Sequence, residues 1–121
     1  KSYTTFDYVD CALSDTLLVA SDTLKVSVTI KNTGRRDGKE VVQLYVRDKV
    51  STVATPIQQL KAFQKVLIKP GESQCVELSL PIAELALYNA KMEEVVEPGD
   101  FEIQIGAASD DIRFKKTITI N

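Results

Sequence analysis

Histidine is absent from the chain, which removes much of the chemistry a domain of this size could carry. Without it there is no Ser-His-Asp or Cys-His relay to activate a nucleophile, and the commonest zinc ligand is missing. What remains is two cysteines, Cys11 and Cys75, and two carboxylate pairs, Glu93-Glu94 and Asp110-Asp111. A glycosidase needs two carboxyl groups facing each other across roughly 5 to 9.5 Å of cleft. Neighbours on a strand point to opposite faces, so Glu93 and Glu94 cannot meet that requirement as a pair. Asp110-Asp111 falls where a hairpin loop is expected, and there the solvated-loop reading outweighs a calcium site. Neither cysteine has an activating neighbour in sequence, although Lys69 could approach Cys75 in space, and structural thiols are the favoured reading. No catalytic residue, cofactor site or metal site is assigned.

Two residues could serve recognition rather than catalysis. Tyr45 alternates away from the apolar face of its segment, and Arg47 follows on the same side, so both are candidate surface contacts for a sugar. A tyrosine packed beneath a loop is the competing reading, and the absence of Trp weighs against a dedicated carbohydrate-binding module.

The segments that hold these residues are strands. Leu24 to Lys31 sets apolar residues at even positions and polar ones at odd positions; Glu40 to Arg47 puts Val42, Leu44 and Val46 on one face. Joined by the turn Asn32 to Gly38, they form an antiparallel pair with one apolar face that must be covered. Cys11 to Val19 is expected as the first strand, with Ser21-Asp22 turning into the second. Gln59 to Ile68 is a strand whose parity slips, which a bulge near Ala62 reconciles. Lys69-Pro70-Gly71-Glu72 has the composition of a type II turn and leads into Cys75 to Leu80. Pro81 to Asn89 has helical spacing but is too short for more than a helical turn. Glu97-Pro98-Gly99-Asp100 launches Phe101 to Ile105, and Ile112 to Ile120 closes the series, with Lys116 out of phase as at a sheet edge. The segment from Asp48 to Pro56 has no clean period and is expected to cross between sheets.

Seven strands with regular turn signals predict an all-β, seven-stranded fibronectin type III or immunoglobulin-like β-sandwich. With no Trp, and with cysteines that do not bracket a core, the fibronectin variant is favoured. The 121 residues suit one domain, and no apolar run approaches the roughly 20 residues that cross a bilayer. Fifteen basic against seventeen acidic residues are interspersed, with no basic stripe for a phosphate backbone. Neither nucleic acid nor membrane is expected as a partner. Two free, partly buried thiols are favoured over the disulfide that export would allow. Residues 1–10 are rich in aromatics; they either add an edge strand or dock on a neighbour.

Three segments carry a family resemblance: VSVTIKNTGRRDGKEVVQLYVRD (Val26 to Asp48), LKAFQKVLIKPGE (Leu60 to Glu72) and VVEPGDFEIQIGAASDDIR (Val95 to Arg113). Together they resemble the C-terminal fibronectin type III-like domain of glycoside hydrolase family 3, and SYTTFDY (Ser2 to Tyr8) resembles that family's passage into the domain from its catalytic portion. The resemblance implies residues 1–10 as a lead-in from a missing catalytic domain and 11–121 as the fibronectin type III-like domain. It implies a parent of β-glucosidase type, hydrolysing terminal non-reducing β-D-glucosyl residues and periplasmic or secreted. The catalytic aspartate and acid/base carboxylate of that family belong to preceding α/β domains, and no position here matches their motifs. The expected partners are those catalytic domains of the same polypeptide, with Tyr3, Phe6, Tyr8 and Pro56 as candidate docking residues. A place for Tyr8 in the chain's own core is equally open. Oligosaccharide at the sheet edge is the alternative partner, and a free-standing adhesion module the alternative role. Thr55, Gln59 and Ala62 depart from the family's usual Arg, acid and Gly, which puts in doubt a loop salt bridge to the catalytic neighbour.

Overall fold

The alternation in Leu24 to Lys31 is carried through to burial. In β3 (Thr23–Asn32), Leu24, Val26, Val28 and Ile30 are fully buried, while the odd positions between them face outward. A strand with one wet and one dry face must stack against another sheet, and two sheets form here. A computed structural model describes residues 5–48, 58–85, 87–88, 94–95 and 98–121. Among them, β1 (Phe6–Leu13), β3 and β6 (Ser73–Pro81) make a three-stranded sheet in the order β1-β3-β6. The second sheet has five strands in the order β2-β10-β9-β4-β5, from β2 (Leu17–Leu18), β4 (Gly38–Asp48), β5 (Gln58–Ile68), β9 (Gly99–Ala108) and β10 (Asp111–Ile120). A 3-10 turn (Ile82–Leu85) and the short pair β7 (Leu87–Tyr88) and β8 (Glu94–Val95) complete the chain.

Seven of these strands have eight or more residues, so the expected seven-stranded sandwich is the observed fold. Its core is the interleaving of inward residues from both sheets: Leu24, Val26, Val28, Leu78 and Leu80 from one, Val42, Leu44, Ile103, Ile105, Ile118 and Ile120 from the other. The bulge expected near Ala62 falls at Lys61, because Leu44 pairs with Ala62 while Tyr45 pairs with Leu60. Gly71 takes φ 77° and Glu72 N–H donates to the Lys69 carbonyl at 3.0 Å, as a type II turn requires. Lys116 sits opposite Ile103 where, among the described residues, β10 has no outer neighbour, since β2 pairs with Thr119 and Ile120. It is an edge position from which the ammonium reaches water.

The first strand lies elsewhere than expected. Rather than Cys11 to Val19, β1 runs from Phe6 to Leu13, so residues assigned to the lead-in are part of the sandwich. Tyr8 and Asp10 are register neighbours with Val9 bulged between them, and this slip breaks the alternation that would have marked the strand. At Ser14–Thr16 the chain leaves one sheet for the other. Asp15 Oδ1 accepts the N–H groups of Thr16 and Leu17 at 2.7 and 3.2 Å, and β2 then pairs in parallel with β10. Leu18 is buried and Leu17 exposed. The expected crossing segment and the docking candidates Tyr3 and Pro56 lie outside the described residues, as do Glu93 and the side chain of Glu94.

Candidate functional site

The outer face of the five-stranded sheet was expected to present Tyr45 and Arg47. Both residues do point to that face, paired with Leu60 and Gln104 in one row and with Gln58 and Glu102 in the next. Arg47 is exposed, but Tyr45 retains only 8% of its accessible surface. Its hydroxyl donates to Gln43 Oε1. Gln104, buried to 4%, donates through Nε2 to Glu102 Oε1 at 2.6 Å and accepts from Gln58 Nε2 at 2.5 Å. Gln58 also reaches the Ser109 carbonyl at 3.3 Å. With Leu60 and Gln104 as its cross-strand neighbours and so little surface left, the Tyr45 ring is packed rather than presented as a stacking platform for a sugar. The competing reading, a packed tyrosine, is the observed one.

The docking candidates separate in the same way. Phe6 is half-buried against the chain's own core. Tyr8 retains 7% exposure and lies within the core, the alternative place left open for it. Its hydroxyl donates to Glu40 Oε2 at 3.1 Å, and the Arg113 guanidinium stands 4.9 Å from the ring centroid. Arg113 in turn makes two hydrogen bonds to Asp111, at 2.7 and 3.1 Å. Burial, then the charge of Glu40, pushes the Tyr8 phenol well above the ordinary tyrosine range. The hydrogen bond from Arg113 lowers Asp111. A phenol held this firmly protonated is no general acid or base near neutral pH.

Other chemistry is equally spare. Cys11 is buried, and burial raises its thiol, whereas Cys75 is exposed; both are free. A cleft of about 390 Å³ runs between β5 and β6, lined by Gln64, Lys65, Leu67, Gln74, Cys75 and Glu77 among others. Glu77 is its single acid, and glycoside hydrolysis needs two. Among the described residues no group of three His, Cys, Asp or Glu side chains is placed to hold a metal ion. No helix there is long and apolar enough to cross a membrane.

Sequence reasoning missed one residue that organises the fold. Asn32 is fully buried, donating through Nδ2 to the carbonyls of Arg36 and Ile68 at 2.8 Å each and accepting from Gly34 N–H at 2.9 Å. The signal was available, since Asn32 continues the inward series Leu24, Val26, Val28, Ile30. Glu40 likewise shares the inward phase of Val42, Leu44 and Val46.

With the geometry laid out, comparison with known proteins decides the family. A model of the fibronectin type III-like domain matches residues 40–109. The chain belongs to the fibronectin type III-like domain family. This domain is similar to part of a β-xylosidase from Formosa agariphila, 44% identical over 93% of the chain and 16% of that protein. It is 38% identical to part of a periplasmic β-glucosidase from Salmonella typhimurium, over 89% of the chain and 14% of that protein. Among solved structures, a β-glucosidase from Erythrobacter marinus superposes with a TM-score of 0.88 at 38% identity, over 98% of the chain and 16% of the enzyme. The domain thus spans about one-sixth of the length of these relatives. The resemblance to the fibronectin type III-like portion of family 3 glycosidases holds.

Proposed function

We propose that this domain is the non-catalytic accessory part of a family 3 glycoside hydrolase of β-glucosidase type. In this reading the parent enzyme hydrolyses terminal non-reducing β-D-glucosyl residues, and the domain stabilises the catalytic domains by docking on them. The supporting observation is one of proportion: nearly the whole chain aligns with about one-sixth of each glycosidase. The lack of paired acids in the β5–β6 cleft is consistent with chemistry carried elsewhere in the polypeptide. Residues 1–5 would form the passage from the catalytic portion, with Tyr3 and Pro56 retained as docking candidates. Export to the periplasm or beyond is proposed by likeness to the Salmonella enzyme.

Deletion of the domain from the full-length enzyme tests this. The expected result is a lower melting temperature and a lower kcat/KM on aryl β-D-glucosides, and unchanged values of both would refute the supporting role. Running aryl β-D-xylosides in parallel distinguishes the two activities named among the relatives.

A further inference from the structure

The two outer faces of the sandwich are chemically unlike. On the three-stranded sheet, β3 presents Thr23, Lys25, Ser27, Thr29 and Lys31, and β6 presents Ser73, Glu77 and Ser79 alongside Cys75. A face of hydroxyls and charges is one that water covers well. On the five-stranded sheet, strand β5 holds Leu60, Phe63 and Leu67 on the outer side, opposite Tyr45, Gln43 and Lys39 of β4. These three are 49%, 63% and 54% exposed. They spread over about 20 Å of the edge strand, Leu60 and Phe63 together and Leu67 beyond Lys65, which is exposed on the same face opposite Val41.

We propose that this stripe, with Tyr45 and the amide lattice beside it, is the face on which the domain docks against the catalytic portion of its own polypeptide. The inference rests on the accessory-domain reading and names the surface that reading needs. Around Leu60 and Phe63 the side chains of Gln43, Gln58 and Gln104 are amides, Gln58 and Gln104 already bond to one another, and the charges of Lys65 and Arg47 are exposed at the margins, where an ammonium or guanidinium can stay in water. Covering the amides therefore strips little water from unsatisfied groups. Size selects the occupant. Three large side chains offer on the order of a few hundred Å² of apolar surface. A free-standing dimer needs roughly 1,200 Å² or more in total, so a second copy is poorly served by this stripe alone. A tethered neighbour is different, because covalent linkage supplies an effective concentration near the millimolar range. In polypeptides of the relatives' length, about five-sixths of the chain stands available as that neighbour.

Accessibility in the intact enzyme tests the assignment. In full-length protein carrying Cys75→Ser, single cysteines are placed at the stripe (F63C) and on the opposite outer face (S79C), and maleimide labelling rates are compared. The F63C thiol is expected to react at least about tenfold more slowly than S79C, since labelling must wait for the interface to open. Equal rates overturn the proposal. Should F63C fail to fold, L67C on the same stripe takes its place with the same expectation. Protection lost on about hundredfold dilution, together with a dimer by sedimentation, assigns the stripe to a second copy and also overturns it. If deletion of the domain lowers stability and kcat/KM while F63C labels as fast as S79C, docking stands and another surface performs it. If deletion changes neither, the accessory-domain reading itself has failed.

Discussion

Tyr8 and Glu40 join the two sheets: the phenol on β1 donates to the carboxylate on β4 at 3.1 Å. Arg113, the residue bulged out of register on β10, covers the ring. One end of the sandwich is thus closed by polar contacts rather than by aliphatic packing, as suits a position where water is near.

Burial of the phenol first, then the Glu40 charge and this bond, make stability pH-dependent in a direction set by the raised phenol. A group whose folded pKa lies above its unfolded value contributes fully below the unfolded value, near 10 for tyrosine, and loses its contribution as pH rises towards the folded one. Tyr8→Phe is expected to cost about 1–2 kcal/mol at neutral pH. Above pH 10 the wild type should lose up to about 1.4 kcal/mol per pH unit relative to the variant. Urea unfolding of both proteins from pH 7 to 11 reads this difference, and parallel curves would rule it out.

Asn32 makes a second tie between the two sheets at the same end, from the end of β3 to the end of β5. Its amide satisfies two carbonyls and one N–H inside the fold, so truncation leaves buried groups without partners. Asn32→Ala should destabilise by about 2–4 kcal/mol with an unchanged denaturant m-value. A loss within about 0.5 kcal/mol, the range of surface substitutions, would show the amide to be dispensable.

Gly106 is required by crowding rather than by its φ angle. A Cβ there would stand 2.1 Å from the Asp111 carbonyl oxygen and 2.9 Å from Ile112 Cα, and both obstacles are backbone. The β9–β10 hairpin must open to admit it, which costs about 1–3 kcal/mol by overpacking. Gly106→Ala should also weaken the Arg113–Asp111 ion pair, because the same hairpin sets its geometry. Arginine side-chain NMR together with thermal melting checks both effects; a variant that melts with the wild type would mean that the hairpin relaxes freely.

These residues mark where sequence was legible and where it was not. Strand β3 could be read because Leu24, Val26, Val28 and Ile30 contrast sharply with the polar residues between them. The bulge at Lys61 left a parity slip between Leu60 and Phe63, and that too was readable. Val9 hid the start of β1 by the same device: its bulge separates the inward pair Phe6 and Tyr8 from the inward pair Cys11 and Leu13. No single strand's pattern could report the burial of Tyr45. Its parity is outward, and its neighbours Leu60 and Gln104 belong to strands brought alongside only by folding. The Tyr8–Glu40 bond spans 32 positions for the same reason.

The cysteines allow a prediction that the sequence left open. Cys11 pairs with Val28 on one side of β3, and Cys75 pairs with Thr29 on the other. Val28 faces the core and Thr29 faces outward, so the two thiols lie on opposite faces with a strand between them. Strands are spaced about 4.8 Å apart, which sets the cysteines roughly two spacings from each other, and a disulfide needs Cα atoms within about 7 Å. No bridge can form without breaking β3 from its neighbours. Under oxidising conditions the monomer should retain both thiols: native protein should take up one maleimide, at exposed Cys75, and a second at buried Cys11 after unfolding. Mass spectrometry counts the adducts, and an intramolecular disulfide in the native monomer would contradict the register of the three-stranded sheet.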